Sequence, residues 1–411
     1  MPRITSGRPP TLAGRALLVA VTLRPAFSWA AVVVMLAAQW LVNALLAGAG
    51  VIVPHGYYVP VLFVAGRFGH LSALVVAVVA GALAGPFTYQ ELATATPQSI
   101  AEWVTRTAFF VVIGQGVAFL ARHARPGLQA AAALAVAERE LLAGLAGGEL
   151  RVEYQPVLDL PTGRLYGFEA LVRWEHPDGL RGPDEFLPVA EATGHMREIG
   201  DVVFAEACTQ AERWRRAAIA AGRVPPTVAV NLAAECVTSD DLVPRVERAL
   251  HTSGLPPELL CVEVTEGDVV ADLEGSCARL RELRRRGIHV AIDDFGAGQA
   301  SLSYLHRLPA NVLKLDRSFV AELQVRDGDA RPIVEGVLGL AKRLRMPVVA
   351  EGIECEAARI QLAEMGCLFG QGYHLGHPVR ADELDPAWVE QLPLPGEPRP
   401  TVTADRLPGH W

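Results

Sequence analysis

The chain has 411 residues, with 45 acidic side chains against 37 basic ones and a net charge of −8 at pH 7. The imbalance is segregated: residues 1–126 hold eight arginines against two acids, Glu91 and Glu102, a surplus of +6 that leaves the remainder at −14. So acidic a body excludes extended nucleic acid as a partner, because a phosphate backbone demands Lys and Arg to neutralise it.

In chain order, apolar runs come first, at residues 28–49, 51–66, 71–87 and 104–121. About 20 apolar residues cross a bilayer, so the first and last runs suffice and the shorter middle pair reads as a tight hairpin through 67–70. This predicts an all-α membrane domain, residues 1–126, of about four transmembrane helices. Arg3, Arg8, Arg15 and Arg24 precede the first run, Arg67 sits in the hairpin turn, and Arg122 and Arg125 follow the last, while the loop 88–102 carries only acids. The positive-inside rule then puts both termini in the cytoplasm. The further apolar runs argue against a cleaved signal peptide. Arg106 reads as a side chain snorkelling to the membrane interface.

Residues 127–148 are Ala/Leu-rich with Glu138, Arg139 and Glu140, and predict a helical linker stiff enough to act as a coupler. From 149 to 385 short apolar runs alternate with amphipathic stretches such as 273–286 and 331–345. The runs LYGFEAL, TVAVNL, LLCVEVTE, HVAIDDFG, NVLKLD and PVVAEG read as strands, and the alternation argues for βα units on a parallel sheet. About eight such strands predict closure into an α/β barrel of the (β/α)8 TIM-like type. Residues 386–411 are Pro-rich, polar and aperiodic, the composition of a disordered tail. The six cysteines form no CxxC pair, which suits free thiols in a reducing compartment.

Glu169, Asn231, Glu263, Asp293, Asp294, Lys314, Glu351 and Gln371 fall at or near the ends of these runs. Taken singly, each acid reads as a helix cap or an arginine partner. Gathered on the C-terminal rim of one barrel they repel one another and require cations. Carboxylate and amide oxygens, with no Cys or His at equivalent positions, favour Mg²⁺ or Mn²⁺ over Zn²⁺, and the adjacent aspartates suggest two ions. Two such ions clamp the attacking and leaving oxygens of a phosphoryl substrate, which points to phosphodiester hydrolysis. Lys314 is one of only two lysines, and a compact ammonium among carboxylates suits the orientation of a nucleophilic water. Asp294-Phe295-Gly296 lacks the companions of a kinase motif, and His195, His306 and His374 lack metal-ligand spacing.

Over residues 137–378 the chain resembles the EAL domain of cyclic di-GMP phosphodiesterases. YQPVLDLPTGRLYGFEALVRW, PDEFLPVAEATGHM, VNLAAE, VEVTE, AIDDFGAGQASLSYL, LKLDRSFV, VVAEGIE and GQGY stand in the family's order. The resemblance implies a modified barrel with one antiparallel strand that opens cyclic di-GMP (c-di-GMP) to linear pGpG. It further implies a homodimer through the barrel, in a bacterial inner membrane with the barrel in the cytoplasm. Residue by residue, it implies Glu169, Asn231, Glu263 and Asp293 as ligands of one ion, and Asp293 with Asp294 on the side of the second. Glu351 matches the general base or water ligand, Lys314 the water-associated lysine, and Gln371 a residue completing the rim. Glu266 matches the glutamate that holds the loop after Asp294 and couples the metals to the dimer interface. Gln155, Leu171 and Arg173 match substrate contacts, Arg173 for phosphate. Departures at Ala233, Gln299, Ala300 and 376–378 touch a turn, the loop and the rim, and bear on rate and regulation. The alternative is a receptor that holds the dinucleotide uncut; the retention of every ligand and of Glu351 favours the enzyme.

Overall fold

The computed structural model describes residues 25–46, 54–85, 99–270, 272–296, 308–324, 330–384, 388, 392 and 393. Arg3, Arg8, Arg15 and Arg24, residues 88–98 of the acidic loop, residues 297–307 with Gln299, Ala300 and His306, and the tail beyond 393 lie outside the described residues. The chain divides into two compact units, Met1–Ala135 and Val136–Trp411.

In the first unit, helices α1 (Pro25–Leu46), α2 (Tyr58–Phe68), α3 (His70–Ala84) and the start of α4 (Ile100–Gly147) follow the four apolar runs. Gly69, at φ +87°, turns the chain between α2 and α3 inside the expected hairpin, a conformation that favours glycine. Two helices are long and apolar enough to cross a membrane, by length and composition: Phe27–Leu46 within α1, and α4. At 11 and 15 residues, α2 and α3 fall short of the roughly 20 a span needs. Val32, Tyr57, Val61, Val76 and Phe110 pack into a core, while Phe27, Leu45, Leu71 and Val112 stay exposed. Arg106 donates to the carbonyl of Ala84, occupying one of the acceptors left open at the end of α3.

In the second unit, the strands are β1 (Leu150–Asp159), β2 (Leu165–His176), β3 (Gly179–Arg181), β4 (Thr227–Asn231), β5 (Leu260–Thr265), β6 (His289–Phe295), β7 (Val312–Leu315), β8 (Val348–Ala350) and β9 (Phe369–Gly370). The ring runs β1-β9-β8-β7-β6-β5-β4-β2 and closes through the β1–β2 pair, giving an eight-stranded barrel with β3 as an extra strand on β2. All ring pairings are parallel except those of β1, which is antiparallel to both neighbours. The reason is local. The connection 160–164 is too short for the crossover a parallel pair requires, and it closes as a turn in which Asp159 Oδ1 accepts from the Thr162 amide at 2.9 Å.

The outer layer consists of α5 (Pro183–Thr193), α6 (Met196–Ala220), α7 (Ala234–Val237), α8 (Leu242–Ser253), α9 (Glu266–Val270), α10 (Leu273–Arg285), α11 (Arg317–Glu322), α12 (Ala330–Leu344) and α13 (Glu356–Glu364). The two amphipathic stretches read from sequence, 273–286 and 331–345, are α10 and α12 to within a residue at each end. Their apolar stripes, Cys277, Leu280 and Leu283 on α10 and Val334, Leu338 and Ala341 on α12, are buried. Strands covered by helices outside and packed inside read as near-continuous valine and isoleucine runs. Inside the ring, Val157, Ala291, Val312, Val349 and Phe369 fill the barrel below the polar ends of the strands.

Candidate active site

The parallel strands present their last residues at one end of the barrel, and the register sets which side chains meet there. Asn231 lies beside Glu263 on β4 and β5, and Gln155 lies opposite Glu169 on β1 and β2. Lys314, on β7, is the hub. Its Nζ stands 2.6 Å from Glu351 Oε1, 2.7 Å from Glu263 Oε2, 3.1 Å from Asp293 Oδ1 and 3.6 Å from Glu169 Oε2, with 2 % of the residue exposed. Glu169 is held from two further sides: Asn231 Nδ2 donates to Oε1 at 2.7 Å, and Gln371 Nε2 donates to Oε2 at 2.5 Å. Gln371 also reaches Glu351 Oε1 at 3.5 Å. Thus Glu169, Asn231, Glu263, Asp293, Lys314, Glu351 and Gln371, spread over 203 positions of sequence, form one cluster.

Gly372 keeps Gln371 in place by close approach. A Cβ there would lie 2.2 Å from the Ile353 backbone, whose amide donates to the Gln371 carbonyl at 3.1 Å.

The electrostatics divide the acids. Burial alone would raise Glu169, but Lys314 and its two amide donors outweigh burial and hold it below the usual carboxylate range. Glu263 lacks those amides, and burial pushes it well up despite Lys314. Burial likewise pushes Glu351 up to about 7, with Asp293 and Glu169 adding to the effect and Lys314 opposing it. Asp294 is raised by burial and then by Asp293 and Asp316. Burial would lower Lys314, but the surrounding carboxylates reverse this and hold it well above the usual lysine value. One ammonium therefore serves Glu169, Glu263, Asp293 and Glu351, with Asp294 adjacent.

The donors fit hard divalent cations. All are oxygens, and one oxygen from each of Asp293, Asp294 and Glu351 lies within 4.8 Å of the others. Asn231 spends its amide nitrogen on Glu169, which leaves the oxygen as its ligand atom. Gln371 Oε1 is buried without a partner, an acceptor facing a cluster already rich in acceptors. Asp294, at φ +52°, is one of two non-glycine residues with positive φ among those described, and its amide bonds Asp293 Oδ1 at 3.0 Å.

The remaining residues singled out from sequence lie around this centre. Gln155 is buried and donates to the Gly376 carbonyl at 3.1 Å. Leu171 and Arg173 follow Glu169 at alternate positions of β2, hence on the same face. Arg173 Nε pairs with Glu153 Oε2 at 2.9 Å, and Glu153 Oε1 takes Arg151 Nη2 at 2.9 Å. Glu153 was not singled out from sequence; a charge next to Tyr154 in an alternating strand was its only signal. Glu266 is half-buried at the start of α9, and the loop expected to meet it lies outside the described residues. His195 pairs with Glu138 and His374 with Glu356. The six cysteines are free thiols.

A parallel barrel with one reversed strand and a rim of carboxylates around a buried lysine defines a narrow class of α/β proteins. The EAL domain family model matches residues 138–378, more than half of the chain, and the chain belongs to that family. It is 42 % identical over 237 residues to the bifunctional diguanylate cyclase/cyclic di-GMP phosphodiesterase MucR of Pseudomonas aeruginosa, a match covering 57 % of this chain and 34 % of MucR. It is 39 % identical over 249 residues to the cyclic di-GMP phosphodiesterase NbdA of the same organism, covering 60 % of this chain and 31 % of NbdA. The chain thus spans about a third of the length of these curated relatives. The solved structure of the PaMucR phosphodiesterase in complex with c-di-GMP superposes with a TM-score of 0.57 at 41 % identity, covering 60 % of this chain and 98 % of that one.

Proposed function

We propose that the protein is a membrane-anchored phosphodiesterase that hydrolyses c-di-GMP to linear pGpG. The observation that carries this reading is Lys314 buried among four carboxylates, three from different strands and Glu351 from just beyond β8, in a chain 41 % identical to a phosphodiesterase solved with c-di-GMP. Glu351, with its value near 7, is half-ionised at neutral pH and suited to take a proton from the attacking water. Lys314 holds the ionised Glu351 oxygen and orients that water beside the phosphorus. Arg173 and Gln155 engage the phosphate and the ligand edge at the mouth. Water oxygen bonds to phosphorus, the bond from phosphorus to the 3′ oxygen breaks, and that oxygen leaves as the free hydroxyl of pGpG after taking a proton.

Glu169, Asn231, Glu263 and Asp293 would hold one divalent ion and Asp293 with Asp294 a second, Mg²⁺ or Mn²⁺. Such ions supply charge stabilisation to the attacking and leaving oxygens. Charge supports the count of two. With ions bound and their protons displaced, five carboxylates against one ammonium carry four surplus negative charges, which two divalent ions balance.

The reading includes a bacterial cytoplasmic membrane location with the barrel and both termini on the cytoplasmic side, and a homodimer through the barrel. The membrane and cytoplasmic placement is supported by the two span-length helices, by the exposed apolar side chains of the first unit and by the free thiols. Incubating the full chain in detergent with c-di-GMP and Mg²⁺ or Mn²⁺, with chromatography for pGpG, tests it: product is expected from wild type and not from Glu351→Ala. Binding without product, equal in the two proteins, would replace the enzyme by a receptor that acts through a partner.

A further inference from the structure

A second cleft lies on the outer wall of β1 and takes no part in the chemistry above. Side chains alternate along a strand, so Glu153 and Gln155 face the barrel mouth while Val152 and Tyr154 face α6. Between β1, α6 and residues 380–382 is a cavity of about 780 Å³, walled in part by Arg151, Tyr154, Glu206, Arg213 and Arg380. That is the size of a small-molecule site. At its edge Arg151 and Arg380 bond the same oxygen of Glu175, Arg380 Nη1 at 3.1 Å, which draws two guanidiniums together. Arg213, on the α6 wall, donates to Gln210 Oε1 at 3.2 Å and has no carboxylate partner among the described residues.

Two buried polar atoms here lack partners: the Tyr154 hydroxyl, on a residue 1 % exposed, and Arg151 Nε. A buried donor without an acceptor is unfavourable, and an anion in the cleft would supply one. The lining holds three arginines and two acids, Glu206 and Asp382; Arg380 also pairs with Asp382 at 3.1 Å and Arg151 with Glu153 at 2.9 Å, so Arg213 is the cation whose charge is uncompensated among the described residues. Glu206 accepts from the Val152 amide at 3.1 Å, and burial pushes its carboxyl above the usual range.

We propose that this cleft binds a small phosphorylated anion, with Arg151, Arg213 and Arg380 as its cations and the Tyr154 hydroxyl as a further donor. Guanidinium forks match phosphate oxygens in pairs, and Val152, Val202 and Ala205 offer an apolar wall to an organic group. Arg151 links the cleft to the barrel mouth, since its Nη2 holds Glu153 and Glu153 holds Arg173. A ligand that draws Arg151 outward loosens Arg173. That consequence rests on the phosphodiesterase reading; the binding does not.

Isothermal titration of the full chain in detergent with inorganic phosphate and with GMP tests the site. Saturable binding to wild type is expected, weakened about tenfold or more in Arg213→Glu at an unchanged melting temperature, and less in Tyr154→Phe. Arg213→Gln carries the same expectation should the glutamate variant fail to fold. Asn231→Ala, at the barrel mouth and outside the Arg151–Glu153–Arg173 chain, should bind as wild type does. Absence of saturable heat with both probes, or binding lost in Asn231→Ala and kept in Arg213→Glu, would overturn the proposal. Calorimetry reads binding without turnover, so failure of the phosphodiesterase reading leaves the outcome interpretable.

Discussion

Replacing Lys314 by methionine keeps the length of the side chain and removes the one ammonium that serves the cluster. Lys314 is 2 % exposed and Glu169 and Glu263 are 5 % and 4 % exposed, so water cannot take over its role. Breaking a buried ion pair by removing one partner costs about 3–5 kcal/mol, because the other charge is stranded. For a domain of this size, about 2–4 °C per kcal/mol, the barrel should melt about 6–20 °C lower. The deficit should depend on pH. The folded-state value of Glu351 is raised from 4.5 to about 7, so its contribution to stability is whole below 4.5 and lost as pH rises through 7. Without the ammonium more carboxylates behave this way, and the variant's deficit should be larger near pH 8 than near pH 5. Thermal unfolding of the full chain with chelator at the two pH values measures it. Equal melting temperatures for variant and wild type at both would refute the picture of a dry, crowded cluster.

Divalent-ion affinity should tighten as pH rises, because the ligands held above the usual carboxylate range, Glu263 and Asp294, must lose protons to bind. Titration calorimetry in buffers of different ionisation heat would read the released protons, and a flat profile would count against these residues as ligands. Glu153→Gln removes the charge that holds Arg173 Nε at 2.9 Å, so KM for the diester should rise by about five- to thirtyfold while kcat stays near wild type. An equal fall in kcat with unchanged KM would place Glu153 elsewhere in the reaction. Gly372→Ala puts a methyl group 2.2 Å from the Ile353 backbone and should cost about 1–3 kcal/mol in stability, displacing Gln371 from Glu169. A variant with wild-type melting temperature and activity would show that the backbone there yields freely.

Much of the barrel could be read without coordinates because its signals are local. A valine-rich run ending in an acid, followed by an amphipathic helix, announces a βα unit, and parallel units put their C-terminal ends on one rim. Lys314 stood out by composition alone, one of two lysines among 37 basic residues. Strands β1 and β9 were harder to see, since no helix separates β1 from β2 and β9 is two residues long. Helix α2 is bounded by the 3-10 turn at Pro54–Tyr57 and by Gly69, and α3 by Gly69 and Gly85, and hydropathy does not report such stops.

Residue types, strand order and the rim position of the acids were thus written into the chain as local pattern. Which acid keeps its charge was decided only by ring closure. Glu169 stays ionised because Gln371, 202 positions away, and Asn231, 62 away, donate to it, whereas Glu263 shares the same lysine without such amides and is driven toward the neutral form. The pairing of Arg173 with Glu153 likewise exists only because β1 runs backwards against β2. Hydrophobic periodicity is a property of neighbours in sequence; desolvation and Coulomb energy belong to neighbours in space.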